Sequence, residues 1–402
     1  MPAHSPQATA PADSLFSAFI PLLPLMSAVF VGFFAMGMAL PVLPRHVVDT
    51  LGMGTVAVGV VMGCQFITSI FLGRGLAGTV TDTRGPRRAM MLGLLGASCV
   101  GLVYFVSLAF VADARTSLAV LIGARLFTGV AEPFIMTAAL TWGMLQMGPA
   151  HAGKVIGWVG MALFAAYGFG APAGAWVYGH FGFAGIAAAT VLVPLVALAL
   201  AWRRPALMPV AAGVKVPFYK VLGIVKLPGL ALTLASFGYA SINAFVVLLF
   251  VQRGWGSAAL AFTSMGAGFI AVRLLIGHLP DKLGGARVAL YCVLMEALGQ
   301  LLIWAAPGPA LACLGTALTG AGYALAFQGL GVEAVRRAPP QSRGSAMGGY
   351  VVFQDISMGL AGPLGGWLAL HAGLGSVFVA AAIAAVGAAG LAWGMMRRPV
   401  GE

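Results

Sequence analysis

Long, nearly unbroken runs of apolar residues are the main feature of this chain, and short polar or basic segments separate them. We count twelve runs, at residues 18–43, 55–77, 89–112, 117–142, 154–178, 184–202, 226–250, 258–277, 288–306, 310–333, 346–369 and 374–396. Each is about 20 residues long or longer, which is the length that a helix needs to cross a bilayer. Strands of a membrane barrel would instead alternate apolar and polar positions. The pattern therefore predicts an all-α membrane protein with twelve transmembrane helices.

The longest connection, residues 203–225, divides the twelve spans into six and six. We therefore expect a six-helix half over 18–202, a cytoplasmic linker over 203–225 and a second six-helix half over 226–396. A disordered leader over 1–17 and a tail over 397–402 are also expected to be cytoplasmic.

Composition agrees with a membrane protein, because 60% of the 402 residues are hydrophobic, 8% are charged and the mean hydropathy is +0.99. The net charge of +12 is unevenly distributed along the chain. Sixteen basic residues fall on the side of the two termini and three on the opposite side. This bias predicts cytoplasmic termini and explains the excess charge, so no nucleic-acid partner is expected.

The two halves share repeated motifs. Residues 74–85 and 273–284 both fit R-x3-G-x3-D-x2-G and lie 199 residues apart. FGAPAGAW at 169–176 and LAGPLGGW at 360–367 lie 191 residues apart, each in the fifth span of its half. A duplicated six-helix unit with the substrate path between its copies is a known plan of secondary transporters.

The repeated loops carry a family resemblance. The loop after span 2 resembles motif A of the major facilitator superfamily, although it departs from the motif at Thr83 and Pro86. The matching residues of the two copies are Gly78, Asp82, Gly85, Arg87, Arg88, Gly277, Asp281, Lys282, Gly284 and Arg287. The resemblance implies a conformational switch in which Asp82 docks near Ser345–Ala346 and Asp281 near the start of span 5. The alternative is that the basic residues serve membrane topology alone.

Two further stretches resemble motifs of the same superfamily. Arg125 and Gly129 resemble motif B, and residues 168–174 resemble motif C, which is associated with antiporters. The helix-bend candidates of motif C and its repeat are Gly170, Pro172, Gly174, Gly362 and Pro363. Residues 40–52 and 331–355 resemble bacterial sugar- or arabinose-efflux-like exporters.

The resemblance implies a monomeric transporter in the inner membrane of a bacterium. The function it favours is proton-coupled efflux of a sugar or an amphipathic drug by antiport, and the alternative is a proton-coupled uptake symporter. The expected partners are the solute, protons and the bilayer, with no cofactor and no metal.

Ionisable residues deep in the spans are candidates for proton coupling, because charges in the hydrocarbon layer are unfavourable and usually functional. Arg125 and Glu132 lie seven residues apart on one helix face and are the first candidate pair; Asp355 is the second. The alternative is a buried pair that only holds helices together. Arg74 and Arg273 are expected to pair with the motif aspartates or to extend to the head groups.

The other candidates are less specific. Glu296 is expected to pair with Arg273 or to stay protonated. Residues expected to contact the solute are Tyr239, Asn243, Tyr323 and Gln328. Apolar or aromatic residues at this spacing also arise from helix packing alone.

Other classes of protein fit less well. No H-E-x-x-H, G-x-S-x-G or P-loop sequence occurs, and all six histidines lie in the leader, in loops or at span ends. An intramembrane enzyme is therefore disfavoured. A sensor that lost transport is expected to lose the cavity carboxylates, and this chain keeps them.

Overall fold

The computed structural model describes residues 19–148, 151–203, 218–339 and 343–397, and no strand occurs in that part of the chain. The predicted leader, most of the predicted linker and most of the predicted tail lie outside the described residues. The first half contains α1 (Phe19–Ala39), α2 (Val42–Arg45), α3 (Thr55–Gly63), α4 (Gln65–Thr68), α5 (Arg74–Arg84), α6 (Pro86–Ala109), α7 (Ala114–Met147) and α8 (Ala152–Trp202). Two π-helical segments, His46–Thr50 and Ser69–Gly73, complete the first two spans.

The second half has the same order of long helices. It contains α9 (Phe218–Gln252), α10 (Ala259–Ile276), α11 (Leu279–Leu283), α12 (Gly285–Ala305), α13 (Pro309–Arg337), α14 (Arg343–Ala372) and α15 (Leu374–Arg397). Because α9 begins at Phe218, the end of the 203–225 segment is helical.

Ten helical segments among the described residues are long and apolar enough to cross a membrane. One of them, Lys154–Trp202, has 49 residues and breaks at Gly182, where φ is 60°. It contains the fifth and sixth predicted spans, and the predicted loop between them is reduced to one glycine whose positive φ other residues rarely adopt. Together with the 30-residue α14, the segments are consistent with twelve spans and confirm an all-α membrane fold.

Helices from the two halves pack closely where glycines remove the side chains between them. In one such contact, which we call the α3–α14 seal, the glycines are Gly59, Gly63, Gly359 and Gly362. Thr55 Oγ1 donates to the Gly366 carbonyl at 2.9 Å at one end of the seal. The other close contact joins α8 to α10, where Thr263 Oγ1 donates to the Gly168 carbonyl at 2.7 Å. Both contacts place backbone directly against backbone.

We expect Gly59→Ala to destabilise the closed α3–α14 seal. An added Cβ would meet the Gly362 carbonyl group, and overpacking of this kind costs about 1–3 kcal/mol. The measurement is the thermal unfolding midpoint of the purified variant. Gly75→Ala is the matched control, because a Cβ at Gly75 on the same span meets nothing within 4 Å. Equal midpoints for the two variants would contradict the prediction.

Candidate functional site

A cavity of about 270 Å³ lies between the two halves. Helices α3, α4, α5, α7 and α8 line it from the first half, and α9, α10, α13 and α14 line it from the second. Its charged lining residues are Arg74, Arg125, Glu132, Arg273 and Asp355. Most of the remaining wall is apolar or aromatic, so these five side chains dominate the electrostatics of the cavity.

An ion pair joins the two halves across the cavity. The guanidinium of Arg74 donates twice to Asp355, from Nε to Oδ2 at 2.5 Å and from Nη2 to Oδ1 at 2.7 Å. Ser69 Oγ also donates to Asp355 Oδ2, at 2.9 Å. Asp355 is 3% exposed, so its charge depends on these partners rather than on water.

The π-helical segment Ser69–Gly73 explains why both residues reach Asp355. In an α-helix, residues five positions apart point about 140° away from each other. The i to i+5 hydrogen bonds of a π-helix place such residues on one side. Ser69 and Arg74 are five positions apart, and the local change of helix type brings them to the same carboxylate.

Glu132 is half-buried in the cavity wall, where its Oε2 accepts a hydrogen bond from Gln65 Nε2 at 3.3 Å. Arg125 is 5% exposed, and its Nε donates to the Val61 carbonyl at 3.2 Å. Arg125 and Glu132, the first candidate pair for proton coupling, both line the cavity, but no contact within 4 Å joins their charged groups. Seven residues of helix separate them by about 10 Å along the axis, which is too far for a pair.

The predictions for Arg74 are wrong. Arg74 neither pairs with Asp82 nor extends to the head groups, because it lines the cavity and pairs with Asp355. Eight residues of helix place Asp82 about 12 Å further along the axis. Arg273, its counterpart in the second half, also lines the cavity and donates from Nη1 to the Ala324 carbonyl at 3.4 Å.

Glu296 lies away from the cavity lining and is fully buried. Neither of its carboxyl oxygens has a hydrogen-bond partner, and no contact within 4 Å joins it to Arg273 in the described structure. An ionised carboxylate in that position would be strongly unfavourable. The predicted pairing with Arg273 is wrong, and the alternative, a protonated Glu296, stays a prediction.

Three of the four predicted solute contacts line the cavity, namely Tyr239, Asn243 and Tyr323. The rings of Tyr239 and Tyr323 are stacked, with 5.0 Å between centroids and 6° between planes. Asn243 is 7% exposed, and its Oδ1 has no hydrogen-bond partner. Gln328 is absent from the lining, since its amide donates to the Gly277 carbonyl at 3.1 Å instead.

The motif A loops show why glycine is needed at matching positions. Gly85 and Gly284 have φ of 85° and 90°, and each ends one helix and starts the next. Of the basic residues in the loop, Arg87 donates to the Trp202 carbonyl at 2.6 Å and so connects α6 to the end of α8. The docking expected between Asp82 and Ser345, and that of Asp281, involves side chains outside the described part of the structure.

The helix-bend candidates lie at close helix contacts. Pro172 is inside α8 and Pro363 is inside α14. A Cβ on Gly170 would lie 2.8 Å from the Phe34 carbonyl oxygen, and one on Gly174 would overlap the backbone of Met38. Gly362 belongs to the α3–α14 seal. Packing between helices is therefore the role that these contacts support.

Sequence reasoning missed Gln65 and Ser69, which contact the two cavity carboxylates, and the pairing of Arg74 with Asp355. Polar residues inside an apolar span were the available signal for all three. Among the described residues, no group of three or more His, Cys, Asp or Glu is arranged to hold a metal ion.

Matches to known proteins agree with the helical membrane fold described above. The family model described as Major Facilitator Superfamily matches residues 25–285 and 229–402. An uncharacterised MFS-type transporter of Salmonella typhimurium is 40% identical, covering 94% of this chain and 97% of the relative. One from Pseudomonas aeruginosa is 39% identical, covering 92% and 91%. The crystal structure of a D-xylose-proton symporter matches 93% of this chain and 97% of its own with a TM-score of 0.72, and its 16% identity makes that a likeness of fold alone.

Proposed function

The chain belongs to the major facilitator superfamily and is a multi-pass membrane transporter, and on that premise we propose that it couples the movement of a small solute to the movement of protons. The solute and the proton use the central cavity by alternating access. The observation that carries the proposal is the pairing of Arg74 with the buried Asp355, which joins the two halves beside Glu132. The proposed location is the inner membrane of a bacterium with cytoplasmic termini, which the distribution of basic residues supports.

Opening of the α3–α14 seal is the step that links the halves to the proton. Ser69 and Arg74 follow the seal along the first-half span, and Asp355 lies two turns before Gly362. Separation at Gly59 and Gly362 would therefore pull Asp355 away from Arg74. A carboxylate left in apolar surroundings without its cation favours the neutral form and binds a proton. Closure brings Arg74 back and displaces the proton to the other side.

Glu132 is the second proposed proton site, because it lies in the same cavity without a direct cationic partner. Arg125 of α7 itself is one of the charged or titratable groups near Glu132. The others lie on four other helices and are Arg74, Tyr167, Tyr239 and Asp355. Its electrostatic surroundings therefore change when Arg74 and Asp355 separate.

The motif A loops are proposed to hold the cytoplasmic face in one of its two states. The paired left-handed glycines Gly85 and Gly284 support this, because they fix the same turn in each half. Breaking and re-forming contacts at such loops is a common way to switch between two packings.

The direction of transport depends on the charge of the solute. With both carboxylates ionised, the three arginines leave the described cavity lining with a net charge of +1, and each bound proton makes it more positive. Proton binding therefore opposes a cationic solute and helps an anionic one. Antiport, which motif C favours, suits a cation; symport, the second candidate, suits an anion.

Proteoliposomes that hold the purified protein and a pH-sensitive dye test the coupling. With equal pH on the two sides at the start, the assay adds anionic, cationic and neutral solutes to the outside in turn. We expect one class to change the internal pH, with acidification for symport and alkalinisation for antiport. Protein-free liposomes are the control for passive leak. If radiolabelled solute enters the proteoliposomes and the internal pH does not change, proton coupling is wrong.

A further inference from the structure

Arg273 occupies the position that the internal repeat equates with Arg74, yet its surroundings lack the carboxylate. The 191-residue repeat equates Asp355, the partner of Arg74, with Phe164. Phe164 stacks on Phe269, one turn before Arg273, with ring centroids 3.6 Å apart. In the second half, a phenylalanine therefore occupies the repeat position of the carboxylate, and it contacts a ring one turn before the arginine.

No carboxylate among the described side chains lies within 4 Å of Arg273. The residue is 8% exposed, and the one hydrogen bond found for its guanidinium goes to the Ala324 carbonyl at 3.4 Å. A guanidinium at this depth is strongly unfavourable unless an anion or several acceptors compensate it. Its remaining donors are therefore available to a bound anion.

Two glycines of α8 lie on the side of the helix near this guanidinium. Arg273 packs directly on Gly157, where an added Cβ would lie 3.4 Å from Nη2. One turn later, a Cβ on Gly160 would meet nothing within 4 Å, and both Arg273 and Gly160 line the cavity. The absence of a side chain at Gly160 therefore leaves open space in the cavity wall for a ligand group.

Aromatic rings border the same space. Tyr323 and Tyr239 line the same cavity as Arg273, and their rings are stacked on each other. Phe164 lies against Tyr239, with 5.6 Å between ring centroids. A flat or apolar ligand can pack on these rings while its charged end reaches the guanidinium.

We infer that the cavity binds a small organic carboxylate, whose carboxylate group pairs with Arg273 and whose apolar part lies against Tyr239, Tyr323 and Phe164. A carboxylate carries one negative charge, which neutralises the net charge of +1 on the described lining. The cavity volume of about 270 Å³ lies just below the usual range of ligand sites and suits a small metabolite. The inference rests on the proposed transport function, because it names the chemical class of the transported solute.

Binding to the purified protein in detergent tests this inference without any transport step. The probes are benzoate, 4-hydroxybenzoate, phenylacetate and hexanoate at millimolar concentration, each compared with its neutral amide. Isothermal titration calorimetry gives the affinity, and the thermal unfolding midpoint reports ligand stabilisation. We expect at least one carboxylate to bind and its amide to bind more than about tenfold more weakly.

Three variants locate the charge that recognises the probe. Arg273→Gln should weaken carboxylate binding more than about tenfold, and Arg273→Lys should weaken it less because it keeps the charge. Arg397→Gln removes an exposed arginine outside the cavity and should bind like the wild type. Unliganded unfolding midpoints show which variants are folded, and Arg273→Lys keeps the test valid if the glutamine variant is not.

The inference is overturned if no carboxylate binds, if amides bind as well as acids, or if folded Arg273→Gln and Arg273→Lys both keep wild-type affinity. These outcomes are distinct from failure of proton coupling. Carboxylate binding without proton movement would leave the inference in place and remove the proposed coupling. Proton-coupled transport of a neutral solute without carboxylate binding would do the reverse.

Discussion

Asp355→Asn and Arg74→Gln are each expected to destabilise the protein and abolish transport. Removing Arg74 leaves the Asp355 side chain, which is 5% exposed, buried without its cation. Breaking a buried pair in this way costs about 3–5 kcal/mol, which is a large share of the stability of most domains. Removing Asp355 should cost less, because the Arg74 side chain is 28% exposed. The measurement is the thermal unfolding midpoint of each purified variant, together with solute uptake into proteoliposomes.

The double variant Arg74→Gln/Asp355→Asn separates the effect of an unpaired charge from the effect of changing the two side chains. It removes both charges and leaves a neutral polar side chain at each position, so it should be more stable than either single variant. We expect this recovery in the unfolding midpoint and no recovery of proton-coupled transport, because the proposed proton acceptor is gone. If the effects of the two single changes simply add in the double variant, the pair has no energetic coupling and the proposed link between the halves is wrong.

The charge balance of the cavity bears on the direction of transport. If the solute is a carboxylate bound at Arg273, protonation of Glu132 or Asp355 makes the cavity more positive and strengthens its binding. Proton and solute then bind together, and an inward proton gradient drives uptake. The carboxylate inference therefore favours the symporter over the efflux antiporter that motif C indicates. A solute whose uptake acidifies the vesicle interior, and whose uptake is lost in Arg273→Gln, would support both proton symport and the carboxylate site at Arg273.

The overall fold could be predicted from the sequence because a bilayer imposes a simple rule. Each span needs about 20 apolar residues, and the runs of this chain meet that length without alternation. The break at Gly182 was harder to anticipate, because one glycine with φ of 60° replaces a whole loop. Likewise, the π-helical segment Ser69–Gly73 has no clear sequence signal, since helix type depends on contacts with α14 and α7.

The site was predictable only in part. Glu132, Asp355, Tyr239, Asn243 and Tyr323 stand out as polar or aromatic residues in apolar spans, and all of them line the cavity. Their partners could not be derived, because Arg74 and Asp355 lie 281 residues apart and meet only after the halves pack. A comparison of the two repeats would have helped, since an aspartate in one copy and a phenylalanine in the other indicate that the halves differ at this point.

Glu132→Gln is expected to abolish proton-driven accumulation and to leave solute exchange intact. Glutamine keeps the size of the side chain and the hydrogen bond from Gln65 Nε2, but it cannot carry a proton. If one proton accompanies each solute, a gradient of one pH unit supports about tenfold accumulation in the wild type. The variant should stop at equal concentrations on both sides. Counterflow with an internal unlabelled solute should continue, because exchange needs no net proton movement.

Asp49→Asn is the matched control for this variant. Asp49 pairs with Arg45 outside the cavity, and both side chains are more than 40% exposed, so its loss should change neither accumulation nor exchange. Wild-type accumulation by Glu132→Gln would show that Glu132 is not the coupling residue and would leave Asp355 as the remaining cavity carboxylate. Loss of exchange together with accumulation, in a variant with a normal unfolding midpoint, would instead place Glu132 in solute binding. The pair of assays thus separates a proton carrier from a solute contact, because only a proton carrier is dispensable when solute exchanges for solute.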